Sequence, residues 1–129
     1  MIVLSQRDAP TIIRRGLRHL LPDYRFVSRT TTALDPQVQP YVTAISAGTP
    51  TGTVGVASEN VHVTVYAGTE PMAREIAVVI DALLLNPAIE WGFSISPSAG
   101  LIVAPDDVTG GFLASITVMA SSPKIERIL

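Results

Sequence analysis

The stretch VHVTVYAGTEPMAREIAVVIDALL, Val61 to Leu84, does most to limit what this chain can fold into. Its first half alternates, with Val61, Val63 and Val65 on one face of a strand and His62, Thr64 and Tyr66 on the other. Its second half changes to a helical period from about Pro71 to Leu85 and stops before Asn86-Pro87. That period predicts a core face of Met72, Ile76, Val79, Ile80 and Leu83, with Arg74 and Asp81 outward. Val78 and Leu85 also fall outward, an apolar stripe of the kind that marks a partner contact. A one-sided strand leading straight into a one-sided helix calls for a sheet with helices layered on it.

The turn between the two halves has the outline of a phosphate-binding loop. Such a loop needs backbone N–H groups brought close to the anion by several glycines, and a lysine or a bare helix N-terminus. Here there is one glycine, Gly68, and no lysine. Glu70 occupies the positive end of the helix dipole and Pro71 removes a donor, so the turn reads as a capped helix start.

On the N-terminal side, a helix is expected from about Asp8, its N-cap, to Leu21, ended by Pro22. Ile12, Ile13, Gly16, Leu17, Leu20 and Leu21 share one face, where Gly16 permits close packing; Arg14, Arg15, Arg18 and His19 share the other. Strands follow at 24–29 and 41–46, then the Gly- and Thr-rich segment 47–59, read as a flexible loop or extended arm. Beyond the second helix, LIVAP (101–105) and FLASITVMA (112–120) read as strands joined by the turn DDVTGG, and the tail SSPKIERIL reads as peripheral. The expected architecture is one domain, residues 1–129, of α/β (α+β) class. Its order is α-β-β-β-α-β-β, with two main helices on one face of a mixed, mostly antiparallel sheet.

Composition agrees. The 129 residues are 47% hydrophobic but only 5% aromatic, so Val, Ile, Leu and Ala must build the core. There is no cysteine, which removes disulfides and thiolate chemistry. The longest apolar run, Ile76–Leu85, is broken by Asp81 and is shorter than the roughly 20 residues a membrane helix needs. The opening residues are too short for a signal-peptide core, so a soluble domain made inside the cell is expected.

Catalytic constellations fare poorly. His19 and His62 are the two histidines, and they form neither an HxH nor an HExxH pattern. Gly48, Gly52 and Gly55 match neither the dinucleotide nor the P-loop spacing. Asp106 and Asp107 are adjacent in a turn, whereas a glycosidase pair must face one cavity at about 5–9 Å. The serines lack a G-x-S-x-G elbow. No catalytic, cofactor-binding or metal-binding residue is assigned, and the chain is read as a non-enzyme without cofactors.

Charge is the feature that stands out. Residues 1–29 hold six arginines and two aspartates, net +4; residues 30–129 hold three basic and nine acidic residues, net −6. Nucleic-acid binding would call for a basic pI, and the sequence pI is about 5.5. Contact between copies suits the pattern better, because arginine pairs with carboxylates through two parallel hydrogen bonds.

Taken together, the helix near residue 10, the Pro-rich passage into strands, VHVTVYAGTEP, MAREIAVVIDALLLNP and FLASITVMA resemble the tail terminator (tail-completion) proteins of long-tailed bacteriophages. The resemblance covers most of the chain, with Val61–Leu85 carrying the largest share. It implies a structural virion protein, assembled in the host cytoplasm, that forms a ring of typically six copies at the head-proximal end of the tail. That ring caps the tail tube, ends its polymerisation and provides the surface for head attachment. The implied partners are other copies, the tail tube protein and a neck or head-completion protein, with DNA only in transit and no membrane. Candidate interface residues are Arg14, Arg15, Arg18, Val78, Leu85, Asp106 and Asp107. The alternatives are another head-tail connector, or, from a different class, a small dimeric α+β ligand-binding or enzymatic module with a cleft near His62, Tyr66 and Trp91.

Overall fold

The computed structural model describes residues 1–30, 34–49 and 54–129, so residues 50–53 of the expected 47–59 loop lie outside the described residues. The elements run β1 (Ile2–Ser5), α1 (Ala9–Leu20), β2 (Arg25–Val27), β3 (Tyr41–Ser46), β4 (Val56–Ala67), α2 (Glu70–Leu84), β5 (Ser94–Pro105), β6 (Phe112–Pro123) and β7 (Ile125–Ile128). Five strands form one sheet in the order β2-β3-β4-β6-β5; β1 and β7 pair apart from it as a two-stranded ribbon. Only β2 and β3 run parallel, and every other pair is antiparallel. The class is α+β with two helices on a mostly antiparallel sheet, as the sequence implies, plus two terminal strands it did not reveal.

The alternation of β4 sets the layers. Val61, Val63, Val65 and Ala67 point into the core, in register with Val42 and Ala44 of β3 and with Phe112, Ala114, Ile116 and Val118 of β6. Over this face α1 buries Ala9, Ile13 and Leu17, and α2 buries Ala73, Ile76, Ala77, Ile80 and Leu84. The expected α2 face is therefore rotated. Met72 is 46% exposed and Val79 37% exposed, while alanines 73 and 77 face the sheet. Small side chains let the helix axis approach the strands, and the bulkier ones are displaced to the rim. On α1, similarly, Leu20 is 40% exposed and Leu21 only partly buried.

Local chemistry explains the helix ends. The Asp8 carboxylate accepts from the Thr11 N–H at 3.2 Å and the Thr11 hydroxyl at 2.8 Å, satisfying a first-turn donor of α1. Arg18 and His19 occupy its last turn, where positive charge suits the dipole. In α2, Thr69 caps by accepting from Met72 N–H at 3.4 Å, with Glu70 in the first turn. Gly16 presents its bare Cα to the indole of Trp91, and any Cβ there would overlap the ring. Trp91 in turn donates its indole N–H to the Leu83 carbonyl at 3.2 Å, which ties α1, α2 and the segment after α2 together.

The strands are longer than their local sequence suggests. β4 starts at Val56 inside the supposed loop, and Ala47 and Gly48 still pair with Asn60 across the hairpin. β5 begins at Ser94 and follows β6 with irregularities between Pro97 and Ala99 and between Ala99 and Ile102. On the far side of the sheet, no helix covers the described residues. There Tyr41 stacks on Tyr66 with centroids 4.7 Å apart, His62 Nδ1 meets the Thr117 hydroxyl at 2.7 Å, and Ser58 meets Ser121 at 2.7 Å.

Candidate subunit interface

The two helices divide the charge. Arg14, Arg15, Arg18 and His19 lie in the C-terminal half of α1, above β2 and β3. Glu70 and Glu75 lie in the N-terminal half of α2, above β4 and β6. Arg18 donates to the Phe26 carbonyl at 3.0 Å, and Phe26 sits in register with Val42 and so with Val65, two residues before β4 ends and five before α2 begins. The basic half of α1 and the acidic start of α2 thus lie toward the same end of the sheet, on opposite flanks. Arg14 and Arg15 have no hydrogen-bond or ion-pair partner among the described residues, nor do Glu70 and Glu75.

The candidate residues separate on inspection. Arg15 is exposed and Arg14 half-buried with its charge free, whereas Arg18 is partly engaged by the β2 carbonyl. Val78 is 50% exposed and, with Met72 and Val79, makes the outward side of α2 more apolar than expected. Leu85 caps the C-terminal end of α2 and is half-buried, apart from that stripe.

Asp106 is buried. Its carboxylate accepts from Val108 N–H at 3.1 Å and the Thr109 hydroxyl at 2.5 Å, which holds the β5–β6 turn. Asp107 beside it is exposed. That turn abuts the end of β4, because Gly111 lies against the Ala67 carbonyl with no room for a Cβ. Asp107 therefore joins Glu70 at the acidic end.

Two further regions bear on contacts and chemistry. The ligand-cleft alternative requires His62, Tyr66 and Trp91 together. The structure separates them: His62 and Tyr66 project from the helix-free face, while Trp91 packs under α1 on the opposite face. Among the described residues no group of three or more His, Cys, Asp or Glu converges, and no helix is long and apolar enough to cross a membrane. Near the turn, burial pushes the Tyr41 phenol pKa up, Thr30 opposes the rise, and Tyr66 and Asp106 add to it. The phenol oxygen is buried, with Thr30 outside hydrogen-bonding geometry and no bonded partner among the described residues.

Sequence reasoning missed the β1–β7 ribbon and a groove at the C-terminal end of α2. The groove, about 550 Å³, runs from Leu84 through Glu90 and Trp91 to Ile95 and Pro123. The β-branched residues in the supposed tail, Ile125 and Ile128, were the available signal for the ribbon. A scan of protein-family models and a search of curated proteins return no match to this chain.

Proposed function

We propose that this protein is a tail-terminator subunit that assembles head to tail into a ring on the phage tail tube and stops its growth by covering the last tube ring. The observation that carries this reading is the division of charge over the helical layer. A free basic flank on α1 and a free acidic flank on α2 lie at matching height, so a lateral step from one copy to the next brings them together. Such an interface is heterologous, and it ends in a closed ring when the rotation per step divides a full turn. Met72, Val78 and Val79 supply exposed apolar area beside the acidic groups, which a charge-only contact would lack. The mechanism is steric: the ring occupies the site where the next tube ring would add, and offers its other face to the neck.

The test is assembly. Light scattering and negative-stain images of the purified protein should show a closed ring, and adding it to polymerising tube protein should shorten the tubes. The double substitution Arg14→Glu, Arg15→Glu should reduce the ring to monomers, and a Glu70→Arg, Glu75→Arg partner should restore mixed assembly. A stable monomer that leaves tube length unchanged would overturn the reading.

A further inference from the structure

The five-stranded sheet ends in two open edges, β2 on one side and β5 on the other. Their levels coincide. Phe26 of β2 is in register with Val42, Val42 with Val65, Val65 with Ala114, and Ala114 with Val103 of β5. Arg25 traces in the same way to Ala104, and Val27 to Ile102, so the three residues of β2 stand level with Ile102–Ala104. That stretch of β5 is also the part of its edge able to pair. Pro97 and the irregularities between Pro97 and Ile102 spoil the stretch before it, and Pro105 after it has no N–H to give.

The backbone is turned the right way on both edges. Along an antiparallel ladder, alternate residues bond the neighbouring strand and the others face away from it. The Asp106 N–H donates to the Gly111 carbonyl at 2.8 Å, so Ala104 and Ile102 also bond β6, and the N–H and C=O of Val103 face the open edge. In β2 the Arg25 N–H donates to the Pro40 carbonyl at 3.4 Å, so Phe26 turns its own N–H and C=O outward, where Arg18 reaches that carbonyl. A carbonyl oxygen has two lone pairs, and Arg18 takes one. The side chains agree. Phe26 and Val103 point to the helical side with the core, while Val27 and Ile102, 59% exposed, point to the helix-free face.

The pairings across the sheet make β5 antiparallel to β2. Rotation about an axis along the strands preserves both direction and level, so it carries β2 of one copy to the β5 edge of the next. We infer that β2 of one copy adds to β5 of a second copy as an antiparallel strand, with Phe26 and Val103 exchanging both backbone hydrogen bonds, so that neighbouring sheets become one. This inference rests on the head-to-tail assembly proposed above and names the contact that holds it. Charge favours a β2 partner over a second β5. Exposed Arg25 comes to lie beside Ala104, three residues from exposed Asp107, whereas Ser94–Pro105 brings no cation of its own. Val27 meets Ile102, two β-branched side chains directly opposite each other, which covers the exposed isoleucine.

Because the chain has no cysteine, one introduced thiol per copy reports the register directly. Val27 and Ile102 would form a non-hydrogen-bonded pair, with Cα atoms about 4.5 Å apart, within reach of a disulfide. Val27→Cys and Ile102→Cys proteins, mixed under mild oxidation, should therefore link. The control is Val27→Cys mixed with Ser96→Cys, also exposed but roughly 20 Å further along β5. Linkage should run at least about tenfold faster than in that control, because pairing raises the effective thiol concentration. Linkage no faster than the control overturns the inference. So does Ile102→Cys linking to itself faster than to Val27→Cys, since β5 then pairs with β5. As a second measurement, Ile102→Lys places a charge on the edge at an exposed position. It should raise the concentration needed for assembly at least about tenfold while the monomer's circular dichroism stays unchanged; assembly at the wild-type concentration overturns the inference. Rings that form without the Val27–Ile102 linkage reject the shared sheet and leave the terminator reading standing. Fast linkage in assemblies that leave tube length unchanged supports the shared sheet and rejects the terminator reading.

Discussion

Replacing Gly16 with alanine sets two effects of known sign against each other. In an exposed helix the change is worth about 1 kcal/mol of added stability, because glycine carries the larger backbone entropy. Here the new Cβ would overlap the Trp91 ring, with further ring carbons at 3.1 and 3.2 Å. Overpacking a core of this kind costs about 1–3 kcal/mol. A displaced indole also weakens its hydrogen bond to the Leu83 carbonyl, worth about 1 kcal/mol. The net expectation is destabilisation by about 1–3 kcal/mol. Trp91→Leu alone leaves a cavity and costs about 2–4 kcal/mol, but it removes the ring. In that background Gly16→Ala should stabilise by about 1 kcal/mol, so the sign of the substitution reverses. Urea unfolding followed by circular dichroism at fixed protein concentration reads both, since 1 kcal/mol moves the midpoint by roughly 0.3–1 M. Gly16→Ala that stabilises the protein while Trp91 is present would refute the packing argument.

Tyr41→Phe removes a buried hydroxyl that lacks a bonded partner among the described residues, so at neutral pH its effect on stability should stay within about 1 kcal/mol. Its signature lies at alkaline pH: the folded-state pKa is raised above the ordinary 10.0, so the unfolded chain releases this proton first. The wild type should therefore lose stability relative to the Phe variant as pH rises past about 10, and parallel unfolding curves from pH 9 to 11 would contradict this. Asp8→Ala deletes both capping bonds to Thr11 and should cost about 1 kcal/mol by urea unfolding, with Asp8→Asn retaining most of it.

The sequence exposed those parts of the fold whose energy is local. α1 and the strand 41–46 carry their caps and periods within a dozen residues, and their limits fall within a residue or two of the observed ones. The ribbon was hidden because Ile2–Ser5 and Ile125–Ile128 gain their structure only from each other, across the whole chain. Val56–Glu59 looked like loop because of its glycine-rich approach, yet four consecutive pairings with β6, the first of twelve along β4, make it strand. The α2 face was misplaced because hydrophobicity ranks Met72 and Val79 above alanine, whereas close approach to a sheet favours alanine. At the candidate interface the charge asymmetry was legible. What sequence could not disclose was that Asp106 is consumed by its own turn and Arg18 by β2.

The pairing of β1 with β7 also fixes an order of events in folding. Arg127 and Ser5, which meet across the ribbon, are 122 residues apart in sequence. Closing so long a loop from an open chain is entropically unfavourable, whereas the β3–β4 hairpin and the β4–α2 unit close short ones. The five-stranded sheet must therefore form first and bring the two ends together. Ribbon amides should exchange with solvent by local opening, while those of β4 and β6 await unfolding of the whole domain. The two ends of the chain are thus the last part of the fold to become ordered.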